Sequence, residues 1–169
     1  VTKEPKLIKK HVKIISKVLK KINMQVILTY PNSDLGFKEI VHEYKLLSSK
    51  FKNIKLIKNA GLNIYTNLMM HCDLMLGNSS SGIVEASSFK LPVINIGDRQ
   101  KGKVKPGNVI DCKFSELSIN KAVNFAKTRK FKNKISRINN PYDKKINLSK
   151  VLDHVIKLSK KQTFLKKKF

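Results

Sequence analysis

Hydrophobic residues recur three and four apart between positions 4 and 22, at Leu7, Ile8, Val12, Ile15, Val18, Leu19 and Ile22, with lysines between them. That spacing predicts a helix with one buried stripe and one solvated face. The next apolar run, MQVILTY at 24–30, is rich in β-branched residues and stops at Pro31, which predicts a buried strand followed by a loop. From there the two periods alternate. Phe37, Ile40, Val41, Tyr44 and Leu47 predict a second helix, NIKLIK at 53–58 a short strand, and Ile64, Tyr65, Leu68 and Met69 a third helix. Residues 73–76 read as a third strand, 83–89 as a fourth helix, 92–96 as a fourth strand and NVID at 108–111 as a fifth. Leu117, Ala122, Val123 and Ala126 mark another helix. A polar stretch at 133–145 precedes a last one, marked by Leu148, Val151, Leu152, Val155 and Ile156.

Short apolar strands alternating with helices define an α/β chain, expected as a Rossmann-like parallel sheet with helices on both faces. Ligands bind such sheets beyond the C-terminal ends of the strands. The loops after Tyr30, Leu76 and Ile96 are therefore expected together on one rim. No internal repeat or long linker interrupts the pattern. Residues 1–169 read as a single domain, with a C-terminal helix and basic tail at 145–169.

Composition changes this picture little. With 169 residues and 41% apolar content the chain can bury a core, and no apolar stretch approaches the roughly 20 residues of a membrane span. The start, VTKEPKLIKK, enters a charged amphipathic pattern and does not read as a signal peptide, so a cytoplasmic protein is expected. Cys72 and Cys112 form no CxxC or His/Cys cluster; reduced, buried thiols and no metal site are expected. The formal charge of +25 raises nucleic-acid binding. The lysines, however, sit on the polar faces of almost every predicted helix, and no aromatic RNA-binding signature or zinc finger is present. A basic surface still attracts anionic substrates.

The candidate chemistry lies on the rim. Gly77-Asn78-Ser79-Ser80-Ser81-Gly82 ends the third strand and opens a helix. Free amides at a helix N-terminus, with serine hydroxyls beside them, suit an anion, and Gly82 would let the backbone approach it. A serine cap on an ordinary helix is the plain alternative. Glu85 follows in the same helix. A carboxylate would repel a diphosphate but can accept two hydrogen bonds from a ribose diol; alternatively it only favours the helix dipole. The loop after Ile96 holds Gly97, Gly102 and Gly107 with Arg99, Lys101, Lys103 and Lys105. It could close over an anion, and Arg99 has the geometry for bidentate contact with oxyanions. In the loop after Tyr30, Asn32 is a possible contact and Asp34 reads as a cap. His11, His42, His71 and His154 lack a paired acid or nucleophile at a recognisable spacing, and Tyr44 and Tyr65 read as core.

Residues 77–112, GNSSSGIVEASSFKLPVINIGDRQKGKVKPGNVIDC, resemble the C-terminal half of the UDP-N-acetylglucosamine 2-epimerases. The likeness is nearest to the hydrolysing branch that feeds sialic and related nonulosonic acid synthesis. YPNSDLGFKEI at 30–40 resembles an earlier motif of the same family, and the resemblance extends over roughly residues 1–145. It implies two Rossmann-like domains arranged as in the B-type glycosyltransferases, with the nucleotide sugar between them. It further implies UDP binding by Ser79, Ser80, Gly82 and Glu85, the serines on the diphosphate and the acid on the ribose. Arg99 and Gln100 would stand at the sugar-diphosphate end, with Asn32 and Asn78 as further possible contacts. The implied reaction removes UDP by elimination across C1 and C2 and then hydrates the glycal to N-acetylmannosamine, with no metal or redox cofactor. No catalytic residue is assigned within this chain.

Three departures qualify the resemblance. Gly102-Lys103 stands where the family has Gly-Arg, and Asp143-Lys144-Lys145 replaces a late glycine-containing motif. The family also runs through a strand ending in His-Pro-Val-Thr where this sequence begins with Val1-Thr2. In an order whose first strand is central, this implies a missing strand between those at 24–30 and 73–76. A marginal chain, without turnover alone, is then expected. Its partners would be a UDP-sugar, an N-terminal domain or companion chain, and possible further copies of itself, with no specific nucleic acid and no membrane. A nucleotide-sugar glycosyltransferase half, or a non-catalytic basic binding module or gene remnant, are the alternative readings.

Overall fold

The computed structural model describes residues 5–144 and 147–159; the expected basic tail at 165–169 lies outside them. The chain runs α1 (Pro5–Lys21), β1 (Val26–Thr29), α2 (Phe37–Lys50), β2 (Ile54–Ile57), α3 (Gly61–His71) and β3 (Met75–Gly77). It continues through α4 (Ser81–Val84), a 3₁₀ segment (Ala86–Phe89), β4 (Val93–Ile96), β5 (Val109–Cys112), α5 (Glu116–Lys127), α6 (Arg129–Ser136) and α7 (Leu148–Ser159). All strand pairs are parallel, but they form two groups. β1 pairs with β2, Val26 opposite Ile54; β3, β4 and β5 form a second sheet, with Met75 opposite Val93 and Val93 opposite Val109. The gap between them falls between β1 and β3, where the sequence implied a missing strand.

Side-chain alternation assigns the two faces. On one, Leu28 of β1 and Ile54 of β2 pack with Leu19 of α1 and Leu47 of α2. On the same side, Ile94 and Ile96 of β4 pack with Val18 of α1 and with Ile119, Ala122, Val123 and Ala126 of α5. On the other face, Val93 packs with Met69 of α3, Ala86 and Leu91. β4 is buried along its whole length, as the middle strand of a doubly covered sheet must be. β1 is covered on one face; on the other Ile27 is 42% exposed.

Helix α1 spans the gap. Ile15 touches the clusters of both sheets, and so does Leu76 of β3. The N-terminal end of α1 lies at the rim. Ile8 packs so closely on Gly36 that a Cβ there would stand 2.3 Å from its Cδ1. Gly36 also starts α2 with φ 85°, a conformation glycine adopts at no steric cost. One turn on, the His11 ring stacks on Phe114, centroids 3.7 Å apart and 7° from parallel. Gly36 and Phe114 follow the C-terminal ends of β1 and β5, which fixes the direction of α1 along the sheet.

Two expectations are corrected. The stretch at 133–145 is not polar loop throughout, because α6 reaches Ser136, with Phe131 and Ile135 buried one turn apart and the Thr128 hydroxyl accepting the Phe131 N–H at 3.3 Å. The cysteines are free but not buried. Cys72 ends α3 facing solvent, and Cys112, at the end of β5, is half-buried. Burial, with Asp111 next to it adding repulsion, still pushes the Cys112 thiol up to about 11.

Candidate functional site

The three loops expected on one rim meet there through side chains. Arg99, after β4, places Nη2 3.1 Å from Asp34 Oδ2, after β1. Gln100 donates from Nε2 to the Asn78 carbonyl, after β3, at 2.8 Å. Gln100 is buried in doing so, and the bond locks the turn that leads from β3 into the serines. Arg99 stays partly open to solvent and is held by Asp34, which is not the helix cap read in the sequence: Gly36 stands at the N-cap of α2, without a side-chain cap bond, and the Asp34 carboxylate faces Arg99 instead.

Ser79 Oγ accepts the Ser81 N–H at 3.3 Å, a local cap, while Ser79 and Ser80 are exposed. Ser81 is buried. Its hydroxyl donates to Glu85 Oε2 at 3.1 Å and also approaches Met69 Sδ. Glu85 is exposed, with one carboxylate oxygen held by Ser81.

The helix expected over 83–89 is broken at Glu85. Four α-helical residues, Ser81–Val84, pass into a 3₁₀ segment, Ala86–Phe89. The cause lies 56 residues further along the chain. Asn140 Nδ2 donates to the Val84 carbonyl at 2.8 Å and to Ser88 Oγ at 2.8 Å. The Ser88 N–H bonds instead to the Glu85 carbonyl, three residues back, which is the 3₁₀ pattern. So short an α-helix carries little dipole. Anion affinity at this turn would rest on local amides, hydroxyls and surrounding cations rather than on a macrodipole.

Gly82 has a packing reason that the sequence reading did not supply. It is buried, and a Cβ there would stand 2.8 Å from Val93 Cγ1, so its absence lets α4 lie against β4. Two residues missed in the sequence reading brace the site. Asn140 sets the break at Glu85, and the Tyr142 hydroxyl donates to the Val104 carbonyl at 2.8 Å, tying down the cationic loop. Their Asn-Pro-Tyr run was the available signal. Lys105, one of the four cations in that loop, pairs with Asp111 Oδ2 at 2.7 Å, while buried Asn95 donates to Asp111 Oδ1 at 2.7 Å. Burial works to raise the Asp111 pKa, but the hydrogen bonds from Lys105 and Asn95 and the lysine's charge together hold it below the ordinary carboxylate value.

A cavity of about 1020 Å³ opens at this rim. Asn32, Asn78, Ser79, Ser80, Glu85 and Arg99 line its mouth, and its body runs down between β1 and β3. Among the described residues no group of three His, Cys, Asp or Glu side chains could hold a metal ion, and no helix is long and apolar enough to cross a membrane.

A parallel α/β domain with a polar, cation-bearing cleft at its strand ends belongs to the Rossmann-like class of folds. Residues 1–156 match the family described as UDP-N-acetylglucosamine 2-epimerase, and the chain belongs to that family. It is 42% identical over 112 residues to the GDP/UDP-N,N'-diacetylbacillosamine 2-epimerase (hydrolyzing) of Campylobacter jejuni, covering 62% of this chain and 29% of that protein. It is 34% identical over 133 residues to the polysialic acid biosynthesis protein P7 of Escherichia coli, covering 77% and 34%. A solved structure from Listeria monocytogenes, described as a UDP-N-acetylglucosamine 2-epimerase, superposes with a TM-score of 0.62 at 16% identity. That match covers 99% of this chain and 44% of the other, and shows the glycosyltransferase-B-like fold. The chain thus spans about a third of the length of the curated relatives it matches.

Proposed function

We propose that this rim binds the diphosphate and ribose of a UDP-sugar, and that the chain supplies the leaving-group end of a hydrolysing 2-epimerase. The observation that carries the reading is the placement of exposed Ser79, Ser80 and Glu85 at the mouth of one cavity, in a chain of this family. The serine hydroxyls and the amides of the turn donate to the diphosphate. Glu85, held on one oxygen by Ser81, accepts from the ribose hydroxyls. Elimination of UDP builds negative charge on the departing diphosphate, and donors fixed beforehand stabilise it without reorganisation. Arg99 would exchange Asp34 for a phosphate oxygen as the ligand arrives, keeping its charge compensated in both states. Gln100 acts through the backbone, by holding Asn78 in place. Hydration of the resulting glycal gives the free 2-epimeric sugar, with proton transfers supplied from outside this chain.

Calorimetric titration with UDP tests the reading. Saturable binding is expected, weakened roughly ten- to hundred-fold in Glu85→Ala, as for loss of charged hydrogen bonds of about 1.5–3 kcal/mol. Absence of saturable binding, or an unchanged affinity in Glu85→Ala, overturns it. Once the remainder of the enzyme is supplied, a free N-acetylmannosamine-type product is expected, and a sugar transferred to an acceptor would assign the site to glycosyl transfer instead.

A further inference from the structure

The direction in which Glu85 points is set one peptide earlier. Glu85 has φ −106° and ψ −44°, about 40° in φ from the ordinary helical value near −63°. Rotation about that N–Cα bond swings the Glu85 side chain relative to the helix before it, where the Ser81 hydroxyl holds Oε2 at 3.1 Å. The peptide that carries the Glu85 nitrogen also carries the Val84 carbonyl. Its N–H is held inside α4 by the Ser81 carbonyl at 2.9 Å, and its oxygen receives Asn140 Nδ2 at 2.8 Å. Were that oxygen free, it would be the α-helical acceptor for the Ser88 N–H, four residues on. The chain would then wind through Glu85 at about 100° per residue instead of the about 120° of a 3₁₀ turn.

Asn140 is itself fixed. Its Nδ2 donates a second time, to Ser88 Oγ at 2.8 Å, and its Oδ1 accepts the Tyr142 N–H at 3.0 Å. The Asp143 N–H closes the turn on the Asn140 carbonyl at 3.2 Å. Lys90, which follows the 3₁₀ segment, donates to the Ile138 carbonyl and ties the approach to this turn back to the same helix. Asn140 does not line the cavity, so its effect on a ligand there passes through Glu85.

We propose that Asn140 is a positioning residue for the ribose and sets the preference for ribose over 2'-deoxyribose nucleotides. The assignment rests on the ribose role proposed above for Glu85. By fixing the Val84–Glu85 peptide, Asn140 aims the carboxylate at the mouth of the cavity, while Ser81 holds one of its oxygens. A carboxylate that accepts from both hydroxyls of a diol must meet two directions at once, so a turn of its stem forfeits the bond that the 2'-hydroxyl adds. Ser79 and Ser80 precede the peptide that Asn140 holds, and their contact with the diphosphate is expected to be kept when Asn140 is changed.

Titration of the protein with UDP and with 2'-deoxyuridine diphosphate tests this. The unmutated protein is expected to prefer UDP by roughly tenfold or more, as for one charged hydrogen bond. Asn140→Ala is expected to weaken UDP by roughly tenfold and to bring the two affinities within about twofold of each other. Asn140→Asp keeps the acceptor for the Tyr142 N–H but loses the donor to Val84, and the same collapse of the preference is expected. A merely structural loss would lower the folded fraction and both apparent affinities alike, leaving their ratio unmoved. A preference retained in either Asn140 variant overturns the proposal and leaves the nucleotide reading intact. A preference below about twofold in the unmutated protein removes the ribose role of Glu85 and this assignment with it. Absence of saturable UDP binding overturns both readings.

Discussion

At the scale of single residues, Gly82 and Asp111 show how much of the site is packing and anchoring rather than ligand contact. A methyl group on Gly82 would stand 2.8 Å from Val93 Cγ1, and Val93 is a stiff β-branched residue in a fully buried strand. Gly82→Ala is expected to destabilise the fold by about 1–3 kcal/mol, as for other overpacked positions, read from the urea midpoint at unchanged slope. The Asp111 carboxyl has a lowered folded pKa, so its contribution to stability is full above the unfolded value of about 3.9 and fades as pH falls through the folded one. Wild type is expected to exceed Asp111→Asn by no more than about 1 kcal/mol at pH 7, in keeping with a half-exposed ion pair. The difference should close below pH ~4 in urea titrations at each pH. Glycine after a serine turn was visible in the sequence, but the neighbour that requires it was not, because Val93 reaches Gly82 only in the folded packing.

At the scale of elements, the strands were legible as short apolar, β-branched runs and most helices by their 3.6-residue period. α6 was not. It buries Phe131 and Ile135 in an otherwise lysine-rich stretch, too thin a stripe to stand out. The break in the helix at Glu85 was invisible for another reason: a distant side chain, Asn140, claims the Val84 carbonyl. Asn140→Ala is expected to release that carbonyl and cost about 1–2 kcal/mol, as for a part-buried hydrogen bond lost on one side. Chemical denaturation would give the cost. Amide exchange should also show the Ser88 N–H altered while the β4 amides remain protected; an unchanged Ser88 amide would detach the break from Asn140. The convergence of the three loops, by contrast, followed from strand direction alone, and the Arg99–Asp34 and Gln100–Asn78 contacts realise it.

At the scale of the whole molecule, the gap between β1 and β3 was foreseeable only by setting the chain beside a complete fold with a central first strand. Local periodicity marks elements and not the pairing between them, so the separation of the two sheets has no signature of its own in the sequence. The lysines, spread over many elements, give a long-range field but no defined patch, so weak binding to polyanions is expected to fall steeply between 50 and 200 mM salt, while UDP titrations should change far less. A filter-binding series with an RNA homopolymer would check this contrast. The arrangement of α1 has a consequence for how the molecule comes apart. β1, α2 and β2 are neighbours in sequence, as are β3, β4 and β5, and Ile15 grips the core of each group. Trimming that one side chain, as in Ile15→Ala, should turn a single melting transition into two, with each half of the chain loosening at its own temperature.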